Sequence, residues 1–328
     1  MLYIVIAKLL VSCSYRAQQH LPLQGNVGCI MLATWNGKFF SPTNEIIIAH
    51  YINFIYYNDL IEIPVLTPEQ IAHFETFGFL LLRQTFSTHE MKEITRDAEK
   101  LWAEYRQREV AGEQDIHKNY FAETSPVLTE LIDDDRIFNP VEQLLGPNFI
   151  WVGSEGNITK RGSHRWHSDR KCWLKEEQED VTYRRLKIML YLDTVTKDTG
   201  CLRVIPGSHQ MPFHQELGAQ EADPQSMPFG APGEDLPCFP LESEPGDVVL
   251  FNHSLFHSVY GGWDGRRILA FKFAAQPTTD RDLNALNSTA SKYYAKSNVF
   301  QPHQNFLNSE RPRIRGMVKD LVELGAKL

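Results

Sequence analysis

The spacing of apolar and polar residues predicts that the chain begins its regular structure with helices near residue 61. Residues 67–70 (TPEQ) have the features of a helix start, with a capping Thr, a Pro in the first turn and an acid after it, and Gly78 should end that helix. The apolar run 79–82 predicts a buried strand. Apolar residues then recur at helical spacing over 87–108, and another short helix is predicted over 126–134.

From about residue 149 the pattern changes to short apolar runs separated by turn residues. The predicted strands are 149–152, 165–169, 186–192, 202–205, 247–251 and 268–273. Residues 211–240 are rich in proline and predict a loop, whereas 280–295 and 312–328 predict helices. Many short strands with turn chemistry between them favour a β-sandwich or a barrel.

We divide the chain into three segments on this basis. Residues 1–60 are rich in Ile, Tyr and Asn and follow no period, and 46–57 fits a strand pair as well as a buried helix. This segment is an N-terminal extension to which the sequence assigns no role. A catalytic domain is expected over 61–278, with its β-rich core at about 149–275, followed by a helical segment at 279–328.

Composition narrows the class of protein and its partners. The 328 residues are 42% hydrophobic and 23% charged, as in globular domains, and carry a net charge of −8, which disfavours nucleic acid as a partner. Five irregularly spaced cysteines favour a reducing, cytoplasmic location. Lys8 interrupts the apolar residues 1–12, which disfavours a secretory signal, and we expect no membrane span. Oligomeric state stays open.

The candidate chemistry begins at His167-Ser168-Asp169. Side chains alternate along a strand, so the imidazole and the carboxylate of an extended His-x-Asp face the same way, and a distant histidine can complete a site of two histidines and one carboxylate. Such a site binds non-haem Fe(II). His257 is preferred as the third ligand because a turn and a hydrophobic strand, 244–251, precede it. The rivals on residue type alone are His164, His209 and His253.

Two arginines follow His257, and only one of them can point inward. Arg266 shares a strand face with Ile268 and Ala270, whereas Arg267 shares one with several large apolar residues that suit packing against another layer. We therefore expect Arg266 to be the bidentate clamp for a carboxylate, with Arg267 as the alternative.

Taken together, these segments resemble the phytanoyl-CoA dioxygenase family of Fe(II)/2-oxoglutarate oxygenases. The resemblance rests on Glu155-Gly156-Asn157, Trp166-His167-Ser168-Asp169, Tyr191-Leu192-Asp193, Gly200-Cys201-Leu202, Ile205-Pro206-Gly207-Ser208-His209, Pro245-Gly246-Asp247 and His257-Ser258 with Arg266. It implies a mainly β fold with flanking helices, built on a double-stranded β-helix (jelly-roll) core.

The resemblance also implies an activity and a set of residues. His167, Asp169 and His257 would be the catalytic iron ligands, and Fe(II), 2-oxoglutarate and O₂ the cofactor and cosubstrates, with succinate and CO₂ as coproducts. Arg266 would hold the distal carboxylate of 2-oxoglutarate and Asn157 would lie near its keto-acid end. Tyr191 and Lys187 share a strand face, and either can line the pocket or serve as a core tyrosine and an outward lysine.

One departure, one indication of the reaction type and one indication of the substrate accompany the resemblance. Val259 stands where the family often has Ser or Thr in contact with the cosubstrate. Asp169 favours hydroxylation over halogenation, since halogenating relatives replace this carboxylate with a small residue. The basic and aromatic residues around the His-x-Asp segment favour a small-molecule substrate with an anionic group; they are His164, Arg165, Arg170, Lys171 and Trp173.

Two other functional classes fit the same residues. One is a cupin-type metal-binding barrel, a dioxygenase or isomerase that does not use 2-oxoglutarate. The other is a binding domain without catalysis. Consumption of 2-oxoglutarate separates the first class from the oxygenase, and metal binding separates the second.

Overall fold

A computed structural model describes residues 66–108, 116–159, 161–170, 181–221, 233–293 and 302–325. Its helices are α1 Pro68–Phe77, α2 Thr88–Arg108, α3 Pro126–Asp133, α4 Asp135–Leu145, α5 Phe213–Glu221, α6 Asp280–Tyr293, α7 Gln304–Leu307 and α8 Pro312–Gly325. Its strands are β1 Phe79–Leu82, β2 Ile116–Asn119, β3 Ile150–Thr159, β4 Gly162–His167, β5 Arg185–Tyr191, β6 Leu202–Val204, β7 Phe239–Leu241, β8 Val248–Asn252, β9 His257–Gly262 and β10 Arg266–Ala274. The prediction for residues 1–60 lies outside the described residues.

The strands form two antiparallel sheets. The larger has the order β1-β8-β5-β10-β3-β2 and the smaller the order β4-β9-β6-β7. Side chains from both sheets meet in one apolar cluster, for example Met189 and Ala270 from the larger sheet with Leu202 and Val204 from the smaller. This is the predicted jelly-roll arrangement, with helices packed on the outside of the larger sheet.

Strand β10 lies between β3 and β5 and separates two cores. Leu269, Phe271 and Phe273 pack with the helices, whereas Ile268 and Ala270 lie between the two sheets. The pleat explains this division, because successive side chains of a strand point to opposite faces. The face of β10 that carries Ile268 and Ala270 is therefore the one that meets the smaller sheet.

The predicted N-terminal elements are present. Thr67 and Gln70 form a capping box at the start of α1, and Gly78 ends the helix in the left-handed region with φ 85°. Helices α2 and α3 lie close to the predicted ranges, and β1 pairs with β8 at the edge of the larger sheet. Among the residues described, no helix is long and apolar enough to cross a membrane.

Several elements differ from the sequence prediction. Residues 211–240 are not a continuous loop, since α5 lies within them and β7 begins at Phe239. Strand β4 ends at His167, so Asp169 follows the strand instead of belonging to it. Strand β2 and helix α4 were not predicted. The strands β2 and β7 are short, and each is a strand because it pairs with a neighbour, β2 with β3 and β7 with β6. A local sequence pattern does not show such pairing.

The Pro-Gly-Asp turn before β8 fixes the start of that strand. The buried Asp247 carboxylate accepts hydrogen bonds from the Gln84 backbone at 2.8 Å, the Glu244 backbone at 3.0 Å and Arg83 Nη1 at 2.8 Å. Gly246 has φ 105°, and a Cβ there would lie 2.3 Å from the Phe86 carbonyl oxygen. The turn therefore requires both residues, and it ties β8 to the end of β1.

Replacing Asp247 by Ala should destabilise the protein by about 1–3 kcal/mol, because the turn loses the buried acceptor that three donors share. Urea denaturation at pH 7 measures the change, and Asp247→Asn should cost less.

Burial alone would raise the pKa of Asp247, but its donors hold that pKa below the usual range. Its stabilisation is therefore present above about pH 4 and is lost as the pH falls through the lower folded-state pKa. This account would be contradicted if the difference in the free energy of unfolding between the wild type and the Ala variant were the same at pH 7 and at pH 2.5.

Candidate metal centre

His167, Asp169 and His257 come together between the two sheets. One potential ligand atom from each lies within 4.8 Å of the other two. His167 and His257 are register partners on β4 and β9, with ring centroids 4.3 Å apart, and Asp169 follows two residues after β4 ends. Of the histidines that the sequence offered, these two form the cluster.

Each imidazole is oriented by a backbone carbonyl. His167 Nδ1 lies 2.7 Å from the Arg165 oxygen, and His257 Nδ1 lies 2.8 Å from the Leu255 oxygen. A carbonyl oxygen can only accept, so Nδ1 carries the proton in both rings and Nε2 keeps its lone pair. Metal-binding histidines are commonly fixed in this way.

The charges in the cluster suit a divalent metal. Burial, with His167 close by, lowers the pKa of His257 to about 3, so that ring is neutral at physiological pH. Burial alone would raise the pKa of Asp169, but Lys187 and His253 hold it well below its usual range. Neutral imidazole nitrogens and one carboxylate are the donor set of non-haem Fe(II) sites.

Three residues behind Asp169 have roles that sequence reasoning did not assign. Lys187 Nζ and His253 Nε2 each lie 3.1 Å from Asp169 Oδ2. Lys187 thus points inward. Arg170, expected at the pocket rim, is fully buried with its Nε 3.4 Å from His253 Nδ1. The alternation of β5 placed Lys187 on the same face as Tyr191 but left open whether that lysine points inward, and no local signal indicated the contacts of Arg170 and His253.

The two arginines that follow β9 point to opposite faces of β10. Arg266 is 2% exposed, donates to the Gly200 carbonyl oxygen, and has its guanidinium carbon 5.9 Å from the Tyr191 ring centroid. Arg267 lies on the helix side, 2.5 Å from Asp193 and 2.9 Å from Glu99. Arg266 is therefore the arginine that faces the space between the sheets.

Two further polar residues face the same space as Arg266. Tyr191 on β5 and Asn157 on β3 are both register partners of Ile268 on β10, which places all three on one face. The Tyr191 hydroxyl and Asn157 Oδ1 are buried and have no well-formed hydrogen bond within the described structure. Burial raises the pKa of Tyr191 to about 12, so it is protonated. Such buried, unsatisfied polar atoms suit a polar ligand.

The remaining sequence candidates lie apart from the cluster. His164 is exposed, and His209 packs against Gly78 at the edge of the larger sheet. Val259 belongs to the apolar cluster between the sheets. Lys171 and Trp173 lie outside the described residues.

Replacing His257 by Ala should lower the affinity of the protein for divalent metal at least 100-fold, since one of three ligands is lost, and Asp169→Ala should do the same. Calorimetric titration of the apo-protein with Mn(II) in the absence of air measures this. His164→Ala is the matched control, because His164 is on the same strand as His167 and outside the cluster. Equal losses in His164→Ala and His257→Ala would refute the assignment of the ligands.

Comparison with protein families and curated proteins places this site in context. The family model for phytanoyl-CoA dioxygenase (PhyH) matches residues 74–260, which include all three cluster residues. The ectoine dioxygenase of Bordetella bronchiseptica is 26% identical over 216 residues, covering 58% of this chain and 69% of that protein. The ectoine dioxygenase of Sphingopyxis alaskensis is 25% identical over 224 residues, covering 60% and 71%.

Solved structures show the same fold. HygX from Streptomyces hygroscopicus, with nickel and 2-oxoglutarate bound, has a TM-score of 0.52 and 21% identity, and the match covers 66% of this chain and 90% of HygX. EctD from S. alaskensis with bound Fe has a TM-score of 0.50 and 24% identity, covering 65% and 78%. With a family model that matches more than half of its length and a fold that agrees, the chain belongs to the phytanoyl-CoA dioxygenase family, a family of non-haem Fe(II)/2-oxoglutarate oxygenases.

Proposed function

We propose that this protein is an Fe(II)- and 2-oxoglutarate-dependent dioxygenase that hydroxylates a small molecule and releases succinate and CO₂. One observation carries the proposal. The cluster of His167, Asp169 and His257 shares the space between the sheets with an inward arginine, Arg266, and with two unsatisfied polar groups. Family membership supports the same activity.

The three ligands would hold Fe(II) from one side. Their Nε2 and carboxylate oxygen atoms would leave other coordination positions available to a chelating cosubstrate and to O₂. Bound iron would supply the activation of O₂. The protein's own part is to hold the two rings in one tautomer and the carboxylate ionised, as described above.

Arg266, Tyr191 and Asn157 would hold 2-oxoglutarate. A guanidinium forms two parallel hydrogen bonds with a carboxylate, and the Tyr191 hydroxyl is free to donate a third. Asn157 can present its amide hydrogens to a carboxylate oxygen, since amide orientation follows the hydrogen-bond network. Asp169 supports hydroxylation over halogenation, because the carboxylate occupies the position that a halide would need.

The alternative is a cupin-type metal-binding barrel that does not use 2-oxoglutarate. It accounts for the metal ligands equally well. It leaves the Tyr191 hydroxyl and Asn157 Oδ1 without a ligand beside a buried guanidinium. Burying such groups unsatisfied is costly, which favours the oxygenase.

The cysteines support a cytoplasmic location as part of the proposal. Cys201 and Cys238 are both free thiols. Free thiols persist in reducing compartments, whereas secreted proteins of this size often carry disulfides.

Arg266→Gln should weaken 2-oxoglutarate binding about 10- to 100-fold, the usual effect of losing a charge-assisted pair. Anaerobic titration of the Fe(II)-loaded protein with 2-oxoglutarate, followed by the visible charge-transfer band of the chelate, measures the affinity. Arg267→Gln is the matched control, since Arg267 pairs with Asp193 and Glu99 on the helix side; it should lower the melting temperature and leave the affinity unchanged. Absence of 2-oxoglutarate binding in the wild type would exclude the proposed function.

The inner face of the larger sheet favours a substrate with an anionic group. Lys187 and Lys272 are register partners, and both face the space between the sheets. Lys187 contacts Asp169, and the buried Lys272 is paired with Glu155. With Fe(II) bound, the charges of the metal and the two ammonium groups would exceed those of Asp169 and Glu155, and this excess positive charge favours a carboxylate or phosphate on the substrate.

A panel of small carboxylic acids and their primary amides tests this preference. The acids should stimulate succinate release from 2-oxoglutarate at least tenfold more than the matched amides, because the amides lack the charge. Succinate is measured with and without each compound at fixed Fe(II). Equal stimulation by amides, or stimulation by amines instead, would argue against an anionic substrate.

A further inference from the structure

The ligand carboxylate is held by side chains and not by the sheet. Asp169 lies two residues beyond the end of β4, outside the ladder that fixes His167 opposite His257. A carboxylate in this position is free to rotate unless other groups hold it. It has two oxygens, and the way it binds a metal depends on whether one or both are available.

Both oxygens of Asp169 have defined surroundings. Oδ1 faces the cluster, 4.0 Å from His167 Nε2. Oδ2 lies 3.1 Å from Lys187 Nζ and 3.1 Å from His253 Nε2. Two nitrogens therefore lie at contact distance from Oδ2, whereas Oδ1 is the oxygen nearer to His167 Nε2.

The side chain of His253 is itself held in place. It is 1% exposed, and its Nδ1 lies 3.4 Å from both Nε and Nη2 of Arg170. A guanidinium only donates, so Nδ1 must accept and the ring proton belongs on Nε2, the atom that faces Asp169. Arg170 is anchored in turn, since its backbone amide donates to Ser168 Oγ at 3.1 Å. The fully buried Arg170 thus sets the tautomer of His253.

Lys187 is directed toward Asp169 by its neighbours on the sheet. Lys272 lies directly opposite it on β10 and is ion-paired with the buried Glu155. Like charges on directly opposed residues repel, and Lys272 is restrained by its own pair. Repulsion from Lys272 therefore favours the position in which the ammonium of Lys187 contacts Asp169.

We infer that Lys187 and His253 act as positioning residues that hold Asp169 Oδ2, so that the carboxylate offers the metal Oδ1 alone. This inference rests on the proposed function. A carboxylate bound through one oxygen leaves three positions of a six-coordinate metal open, two for chelating 2-oxoglutarate and one for O₂. Binding through both oxygens would remove one of these positions.

Two variants test the positioning role. Lys187→Met removes a contact and a charge, and His253→Phe removes a contact without removing a formal charge. Each should weaken 2-oxoglutarate binding about tenfold while the affinity for Co(II) stays within threefold of the wild type or rises, because the released oxygen becomes available to the metal. The visible spectrum of the Co(II)-loaded protein, whose intensity depends on coordination number, should change in both variants.

Rescue and a matched control separate positioning from general damage. Lys187→Arg keeps a donor and should restore both the spectrum and the 2-oxoglutarate affinity. Lys118→Met is the control, because Lys118 is a lysine of the same sheet that lies over the Tyr105 ring; it should change neither. If Lys187→Met does not fold, as judged by thermal denaturation, Lys187→Gln and His253→Phe carry the test.

The outcomes distinguish this inference from the proposed function. If the wild type binds Co(II) and no 2-oxoglutarate, the proposed function fails. If the wild type binds both, and folded Lys187 and His253 variants keep the wild-type spectrum and 2-oxoglutarate affinity, the positioning inference is overturned. Loss of Co(II) affinity in step with 2-oxoglutarate affinity would also overturn it, since that indicates a structural role.

Discussion

The antiparallel pairing of β10 between β3 and β5 is the constraint on which the rest of the structure depends. Pairing on both sides fixes which residues of three strands share a face. One face supplies Leu269, Phe271 and Phe273 to the helix-covered core, and the other faces the smaller sheet. A shift of one residue would exchange these faces and would place Arg267 instead of Arg266 between the sheets.

The inner face that results is unusual because it concentrates charge. Buried ionic groups are costly unless paired, and here most pairs can be identified: Lys272 with Glu155, and Lys187 with Asp169. Arg266 has a carbonyl partner and an aromatic neighbour but faces two unsatisfied polar groups. The helix-covered face is apolar, in contrast to the charged inner face. Burial of its apolar side chains provides free energy that offsets the cost of the buried charges.

Much of the fold and of the site was predictable from local patterns. Helix α1 carries its capping residues in the sequence, and the strand period placed Arg266 on the face of Ile268 and Ala270. The alternation of apolar and polar residues was less informative for the short strands β2 and β7, because these strands depend on pairing with β3 and β6. The 211–240 prediction was wrong because a high proline content obscured α5 and the start of β7 within it. The charged residues near His167 were assigned to a pocket rim, yet Arg170 is fully buried beside His253.

The sequence by itself determined the residue types of the candidate metal site, the family and the alternation that turns Arg266 inward. These are local properties, since they depend on spacing within a strand or a turn. Only the tertiary structure decided that His253 lies behind Asp169 and His257 beside it, although both histidines come from one short segment. The physical reason is that β9 begins at His257, which pairs with His167 on β4. His253 lies in the turn between β8 and β9, so its position depends on the turn and not on that pairing. Contacts between residues distant in sequence depend on how strands and turns pack, and no local pattern encodes them.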